Sequence, residues 1–119
     1  MNSTKDLTDL IIEGIQNRKG HKITIIDMGN LDTAATRRFI VAEGTSSTQT
    51  ASIAESVEET VRLGSGQKLI GSVGTGTGEW VVMDYGDTWV HIFLPPVRER
   101  YNLEELWSDA QITEIPDLD

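Results

Sequence analysis

Several residue groupings in this 119-residue chain have types and spacings that chemistry uses. The run GTGTG, Gly74 to Gly78, has the glycine density of a phosphate loop, in which backbone amides approach an anion at a helix N-terminus. The next residues, EWVVMD, form a strand-like run, and no Lys-Ser/Thr pair closes the motif, so a flexible hairpin loop is the reading the neighbours favour. GTSST, Gly44 to Thr48, is better placed as an anion cradle, at a strand-to-helix junction, but its hydroxyls serve equally as helix caps and capping is preferred. His21 and His91 are the only histidines, and neither has a second histidine or a carboxylate at metal-ligand spacing, so no metal and no cofactor are expected. His91 alternates with Trp89 and Phe93, which suits a packed, partly buried ring better than a catalyst. Asp84 and Asp87 bracket Tyr85 and Gly86; paired-acid chemistry needs carboxylates converging on a cleft, whereas Asp and Gly here are what a tight turn demands. With no cysteine, thiolate nucleophiles and disulfides are excluded, and no catalytic residue is assigned.

The elements that must position these residues are legible from periodicity. Leu7, Leu10, Ile11 and Ile15 recur at helical spacing, with Ser3 and Asp6 as start signals, and predict a helix ending near Gly20. Lys22 to Asp27 and Arg37 to Glu43 have the β-branched density of strands, joined by a short loop containing Gly29 and Asn30. Ser46 with Gln49 resembles a capping box, after which Ile53, Ala54, Val57 and Val61 line one helix face until Gly64. The runs KLIGSV, EWVVMD and TWVHIFL then predict a three-stranded antiparallel meander that Pro95 and Pro96 end. Arg98 to Tyr101 suit one helical turn, and Asn102 with Glu105 can cap a short helix carrying Leu103, Leu106 and Trp107. These elements predict an α/β domain over residues 1–110, a single mixed five-stranded sheet with flanking helices, followed by a loose acidic tail over 111–119. Parallel pairing is expected from the crossover between the first two strands, although the short connection near Asn30 leaves their direction open.

The most unusual stretch is Glu79 to Trp89, which holds two of the three tryptophans and one of the two tyrosines. If Tyr85 and Gly86 form a two-residue loop, Trp80, Val82, Trp89, His91 and Phe93 share one face, and Val81, Met83, Val90 and Ile92 the other. Both faces are apolar, and a chain this short has few helices to cover the second. The pattern alone therefore divides evenly between core and partner surface, and the value of Trp and Tyr as binding anchors tips it towards a partner. Lys plus Arg number 10 against 19 Asp plus Glu, a net charge of −9, which repels nucleic acid and favours a basic protein partner. No apolar run approaches the roughly 20 residues that span a bilayer, and the N-terminus lacks a signal-peptide profile, so a cytoplasmic protein without membrane contact is expected.

GEWVVMDYGDTWVHIFLPPVRERYNLEELWSDA, with RFIVAEGTSSTQTASIAESVEE upstream, resembles the Iojap family of ribosomal silencing factors over roughly residues 5 to 110. That resemblance implies a sheet distantly similar to nucleotidyltransferase cores. It also implies binding to the large ribosomal subunit through the fourteenth protein of its L series, at the intersubunit face, which blocks joining of the small subunit. Carried over by motif, the implied docking residues are Trp80, Met83, Asp84 and Tyr85, then Asp87 and His91, while Val81 and Val82 read as structural. A weak homodimer of the free protein through the same apolar face is a further expectation. Two departures stand out: Arg37 and Arg38 replace the family's common Asp-Tyr before Phe39, and the loop from Gly74 to Gly78 is unusually rich in glycine. The alternative reading is a magnesium-dependent nucleotidyltransferase-like enzyme, for which the sequence has Gly-Thr-Ser but no Asp-x-Asp in a following strand. A scaffold unconnected with ribosomes is a third.

Overall fold

A computed structural model describes residues 6–29 and 36–118. The sequence-predicted features at Ser3 and Asn30 lie outside the described residues. Helix α1 spans Leu7–Asn17 and strand β1 His21–Asp27; strand β2 (Arg38–Glu43) precedes the long helix α2 (Ser47–Ser65). Next come strands β3 (Gly71–Val73), β4 (Trp80–Asp84) and β5 (Thr88–Phe93), then the short helices α3 (Pro95–Tyr101) and α4 (Leu103–Leu106), and strand β6 (Gln111–Ile115).

Capping chemistry fixes the helix starts. The Asp6 carboxylate accepts the Asp9 N–H at 2.9 Å, and the Ser46 hydroxyl accepts the Gln49 N–H at 3.1 Å. The Gln49 side-chain carbonyl reaches back, to the Thr45 N–H and hydroxyl rather than to Ser46, so GTSST is occupied with capping. Helix α2 runs past the expected stop at Gly64, and its left-handed cap falls on Gly66, with φ 75°.

The described residues form one six-stranded sheet in the order β3-β4-β5-β2-β1-β6. It departs from the sequence expectation in two ways. The sixth strand comes from the segment expected to be a loose tail: β6 pairs antiparallel with β1, from Ile23 opposite Ile115 to Asp27 opposite Gln111. The Asp117 carboxylate accepts the Lys22 N–H at 2.8 Å just beyond that ladder. Parallel pairing joins not the first two strands, which are antiparallel, but β2 and β5, from Arg38 opposite Thr88 to Glu43 opposite Phe93. Helix α2 therefore lies in the path from β2 to the meander, not between β1 and β2.

The meander β3-β4-β5 is antiparallel as expected, although only the last three residues of KLIGSV enter the ladder. Its hairpin turn falls on Gly86 and Asp87, because the Tyr85 N–H bonds the Thr88 carbonyl at 2.9 Å. Moving the turn by one residue shifts pairing by two, so the predicted faces are unchanged.

The sheet thus has two differently covered sides. On one, α1 and α2 bury Leu10, Ile11, Ile15, Ile53, Val57 and Val61 against Ile40, Val81, Met83, Val90 and Ile92. The Ser56 hydroxyl donates to the Gly14 carbonyl at 2.8 Å and locks the two helices together. On the other side a smaller cluster of Ile26, Met28, Phe39, Val41, Phe93 and Leu103 is covered, among the described residues, by the short α3–α4 segment and the residues just after it. Arg98 fastens that segment: its guanidinium donates to the Lys22 carbonyl at 2.7 Å and the Thr24 hydroxyl at 3.0 Å, and pairs with Glu43 and Glu104. Arg38, one of the two arginines that precede Phe39, donates to the Thr8 hydroxyl at 3.0 Å and so ties β2 to α1, whereas Arg37 is exposed.

Candidate protein-docking face

Alternation along β4 and β5 turns Trp80, Val82, Asp84, Trp89, His91 and Phe93 towards the thinly covered side of the sheet. Phe39 joins them from β2 through the parallel ladder, directly beside Trp89. The rings form a continuous band. Trp89 stacks on Phe39 at 5.9 Å between centroids, and Phe39 meets His91 edge-on at 4.4 Å. Trp80 stacks on Phe93 at 5.0 Å and is flanked by Tyr101 of α3 at 4.5 Å. The Trp80 indole N–H donates to His91 Nδ1 at 3.1 Å.

The C-terminal helices cover one end of this band and leave the other open. Trp80, Val82 and Trp89 remain half-buried, and Val73 on the neighbouring edge strand is 66% exposed. Beyond the covered end, Gly71, Ser72, Val73, Val82, Asp84 and Trp89 line a shallow groove of about 450 Å³. Asp84 adds charge to its wall, although one carboxylate oxygen accepts the Gly86 N–H at 2.7 Å to shape the turn. Asp87 is exposed at the turn's tip, where its carboxylate accepts the Thr88 hydroxyl at 3.3 Å.

The sequence-predicted docking residues are therefore not all brought together. Trp80 and Asp84 share the open face and Asp87 sits at its edge. Met83 and Tyr85 point to the opposite side, into the core under α1 and α2, at 1% and 3% exposure. Parity explains this: Met83 alternates with outward-facing Val82 and Asp84 on β4, and Tyr85 continues the alternation one residue beyond the strand. His91 is on the open side but beneath Trp80, at 4% exposure, so it touches the aromatic band and not the solvent. Conversely Val82, read as structural, and Trp89 belong to the accessible wall, while Val81 is fully buried as read. The alternation that places Val82 and Trp89 beside Trp80 was present in the sequence. What it lacked was the knowledge of which face the longer helices cover.

Burial sets the electrostatics of two groups. Desolvation lowers the His91 imidazole from 6.5 to about 4, so it is neutral near pH 7 with Nδ1 free to accept. Tyr85 is pushed up to about 12 by burial and by Glu58 nearby, and its hydroxyl finds no hydrogen-bond partner among the described residues.

The loops that suggested nucleotide chemistry are otherwise engaged. Gly78 packs so closely on the α2 N-terminus that a side chain there would meet the Ser47 carbonyl at 2.5 Å, and its own carbonyl accepts the Thr50 hydroxyl. The glycine-rich loop thus closes over the start of α2. Among the described residues no group of three His, Cys, Asp or Glu side chains is arranged to hold a metal ion, and no helix is long and apolar enough to cross a membrane.

Comparison with known proteins adds an independent line. The family model described as ribosomal silencing factor during starvation matches residues 1–119. A protein from Chromobacterium violaceum named a ribosomal silencing factor is 39% identical over 104 residues, covering 87% of this chain and 84% of that one. The chloroplastic protein Iojap of Arabidopsis thaliana is 35% identical over 84 residues, 68% of this chain and 33% of its own length. A crystal structure of a Chromobacterium violaceum protein superposes with a TM-score of 0.80 at 36% identity, covering 90% of this chain and 88% of that one. With the family model spanning the whole sequence and the fold matched by a solved relative, the chain belongs to the family of ribosomal silencing factors.

Proposed function

We propose that this protein represses translation by docking, through the open aromatic face, on a protein of the large ribosomal subunit and sterically blocking joining of the small subunit. The fourteenth protein of the L series, at the intersubunit face, is the partner the family resemblance implies. The observation that carries the reading is the uncovered end of the aromatic band, where half-buried Val82 and Trp89 meet exposed Val73 beside Asp84, next to half-buried Trp80, which Tyr101 of α3 flanks. Trp side chains bury much area for few rotatable bonds and are favoured interface anchors. The net charge of −9 steers such a face towards a basic partner.

The docking set that fits this geometry is Trp80, Val82, Asp84 and Trp89, with Val73 and Asp87 at the rim. Met83, Tyr85 and His91 support it from below. The role is regulatory and needs no catalytic group, cofactor or direct reading of nucleic acid. A protein acting in this way works in the cytoplasm, alongside ribosomes. A second copy covering the same apolar face would form a weak homodimer when no ribosome competes.

The test is co-sedimentation with purified large subunits. Trp80→Ala and Trp89→Ala should each weaken binding by at least about tenfold, the range of interface anchors, with far-ultraviolet circular dichroism unchanged. Binding of both variants at wild-type strength would remove the face from the mechanism. Adding the protein before subunit joining in a reconstituted system should lower peptide synthesis, and no effect at saturating binding would remove the silencing role.

A further inference from the structure

We infer that His91 is a positioning residue: its Nδ1 accepts the Trp80 indole N–H and thereby fixes the orientation in which Trp80 is presented to the partner. The inference rests on the docking reading, in which Trp80 is an anchor, and adds what holds that anchor in place.

Stacking alone does not define the ring. Phe93 lies against Trp80 at an interplanar angle of 23°, and Tyr101 flanks it at 39°. Both contacts tolerate a flip of the indole about its Cβ–Cγ bond, which keeps the ring in nearly the same plane. The N–H is the polar edge that distinguishes these orientations, because an indole N–H partly withdrawn from water favours the orientation that meets an acceptor. His91 Nδ1, at 3.1 Å, supplies it. A flipped ring would turn the N–H away from this acceptor and change which edge of the half-buried indole is left exposed.

The histidine is itself held and tuned for this task. Phe39 packs edge-on against it at 4.4 Å, and Phe93 lies parallel to it, two residues along the same strand. With Nδ1 accepting, a neutral imidazole carries its proton on Nε2. That nitrogen is buried and finds no partner among the described residues. A phenylalanine would fill the aromatic slot without burying an unpaired nitrogen of its own, so the feature a histidine contributes here is the Nδ1 acceptor. Burial keeps the ring neutral near pH 7 and so keeps the acceptor lone pair available.

Three variants of the full chain separate this role from plain packing. His91→Phe fills the space and removes the acceptor. His91→Asn places an amide oxygen near the Nδ1 position and keeps it. Trp80→Phe keeps a ring and removes the donor. Two readouts are taken, the hydrogen exchange of the Trp80 indole N–H by nitrogen-edited NMR and the affinity for purified large ribosomal subunits. In wild type and His91→Asn the indole N–H should exchange slowly; in His91→Phe it should exchange as a free indole does. His91→Phe should weaken binding by about three- to tenfold, the worth of one hydrogen bond, and His91→Asn should recover most of that loss. Combined with Trp80→Phe, His91→Phe should cost nothing further. A slowly exchanging indole in His91→Phe, or an equal loss of binding in the wild-type and Trp80→Phe backgrounds, would overturn the inference. Failure of the wild-type protein to bind large subunits would instead overturn the docking reading and the presenting role with it, a result told apart because the indole signal is read without ribosomes.

Discussion

At the scale of single residues, the hairpin divides its labour by parity. Even-numbered Trp80, Val82 and Asp84 look outward while Val81, Met83 and Tyr85 build the core beneath, so the motif that looks like one binding stretch is two layers. His91 adds a measurable pH signature. Its folded value of about 4 lies below the 6.5 of an exposed imidazole because burial penalises the charged ring. As pH falls, the unfolded chain therefore takes up the proton first and is favoured. The His91 contribution is fully present above about pH 6.5 and lost between there and about pH 4, on the order of 3 kcal/mol in all. Denaturant unfolding at about pH 7.5 and about pH 5 should show wild type losing stability over this interval more than His91→Phe does. Equal losses in the two proteins would mean that other groups account for the whole pH dependence.

At the scale of elements, the open face exists because α3 and α4 are short and are pinned at one place. Arg98 holds them through the Lys22 carbonyl, Thr24, Glu43 and Glu104, with its side chain 10% exposed. Arg98→Leu removes the cation and leaves Glu43, 13% exposed, without this pairing. The expected loss is about 3 kcal/mol, the lower end for buried pairs because Glu104 keeps some contact with solvent. Binding to large subunits should fall as well, since Tyr101 is carried on α3 and flanks Trp80. Thermal unfolding and co-sedimentation check the two effects separately, and an unchanged melting temperature would show that the Arg98 cluster does not fasten the segment.

How much of the fold was legible in the sequence depended on how local each cause is. The Ser46 cap, the Asn102 cap of α4 and the antiparallel meander come from neighbours in sequence and were readable there. Strand β6 was not, because Gln111 to Ile115 sits in an acidic segment and takes its strand character from pairing with β1, far away in the chain. The parallel β2–β5 pair is likewise a tertiary choice. The candidate site was half legible: alternation gave the membership of each face, and only the placement of α1 and α2 decided which face is buried.

At the scale of the whole molecule, 19 acidic against 10 basic side chains give the protein a long-range field as well as a contact surface. On the proposed docking reading, attraction to a basic ribosomal partner acts mainly on the rate of association, and salt screens it. Stopped-flow association with large subunits should slow by about tenfold between low salt and about 0.5 M salt, with dissociation changing less. A rate indifferent to salt would leave the acidic surface to serve solubility alone. The sheet order has a different consequence, for the timing of synthesis. Strands β1–β2 and β3–β4–β5 are two ribbons formed from sequence neighbours, and the β2–β5 ladder that unites them joins distant parts of the chain. The aromatic band draws on Phe39 from the first ribbon, Trp80 and Trp89 from the second, Tyr101 from α3 and Trp107 from the cap of α4. If the aromatic band is the docking face proposed above, a nascent chain carries no finished face until the chain through Trp107 has been made, and the ribosome assembling the protein is not gripped by its unfinished product.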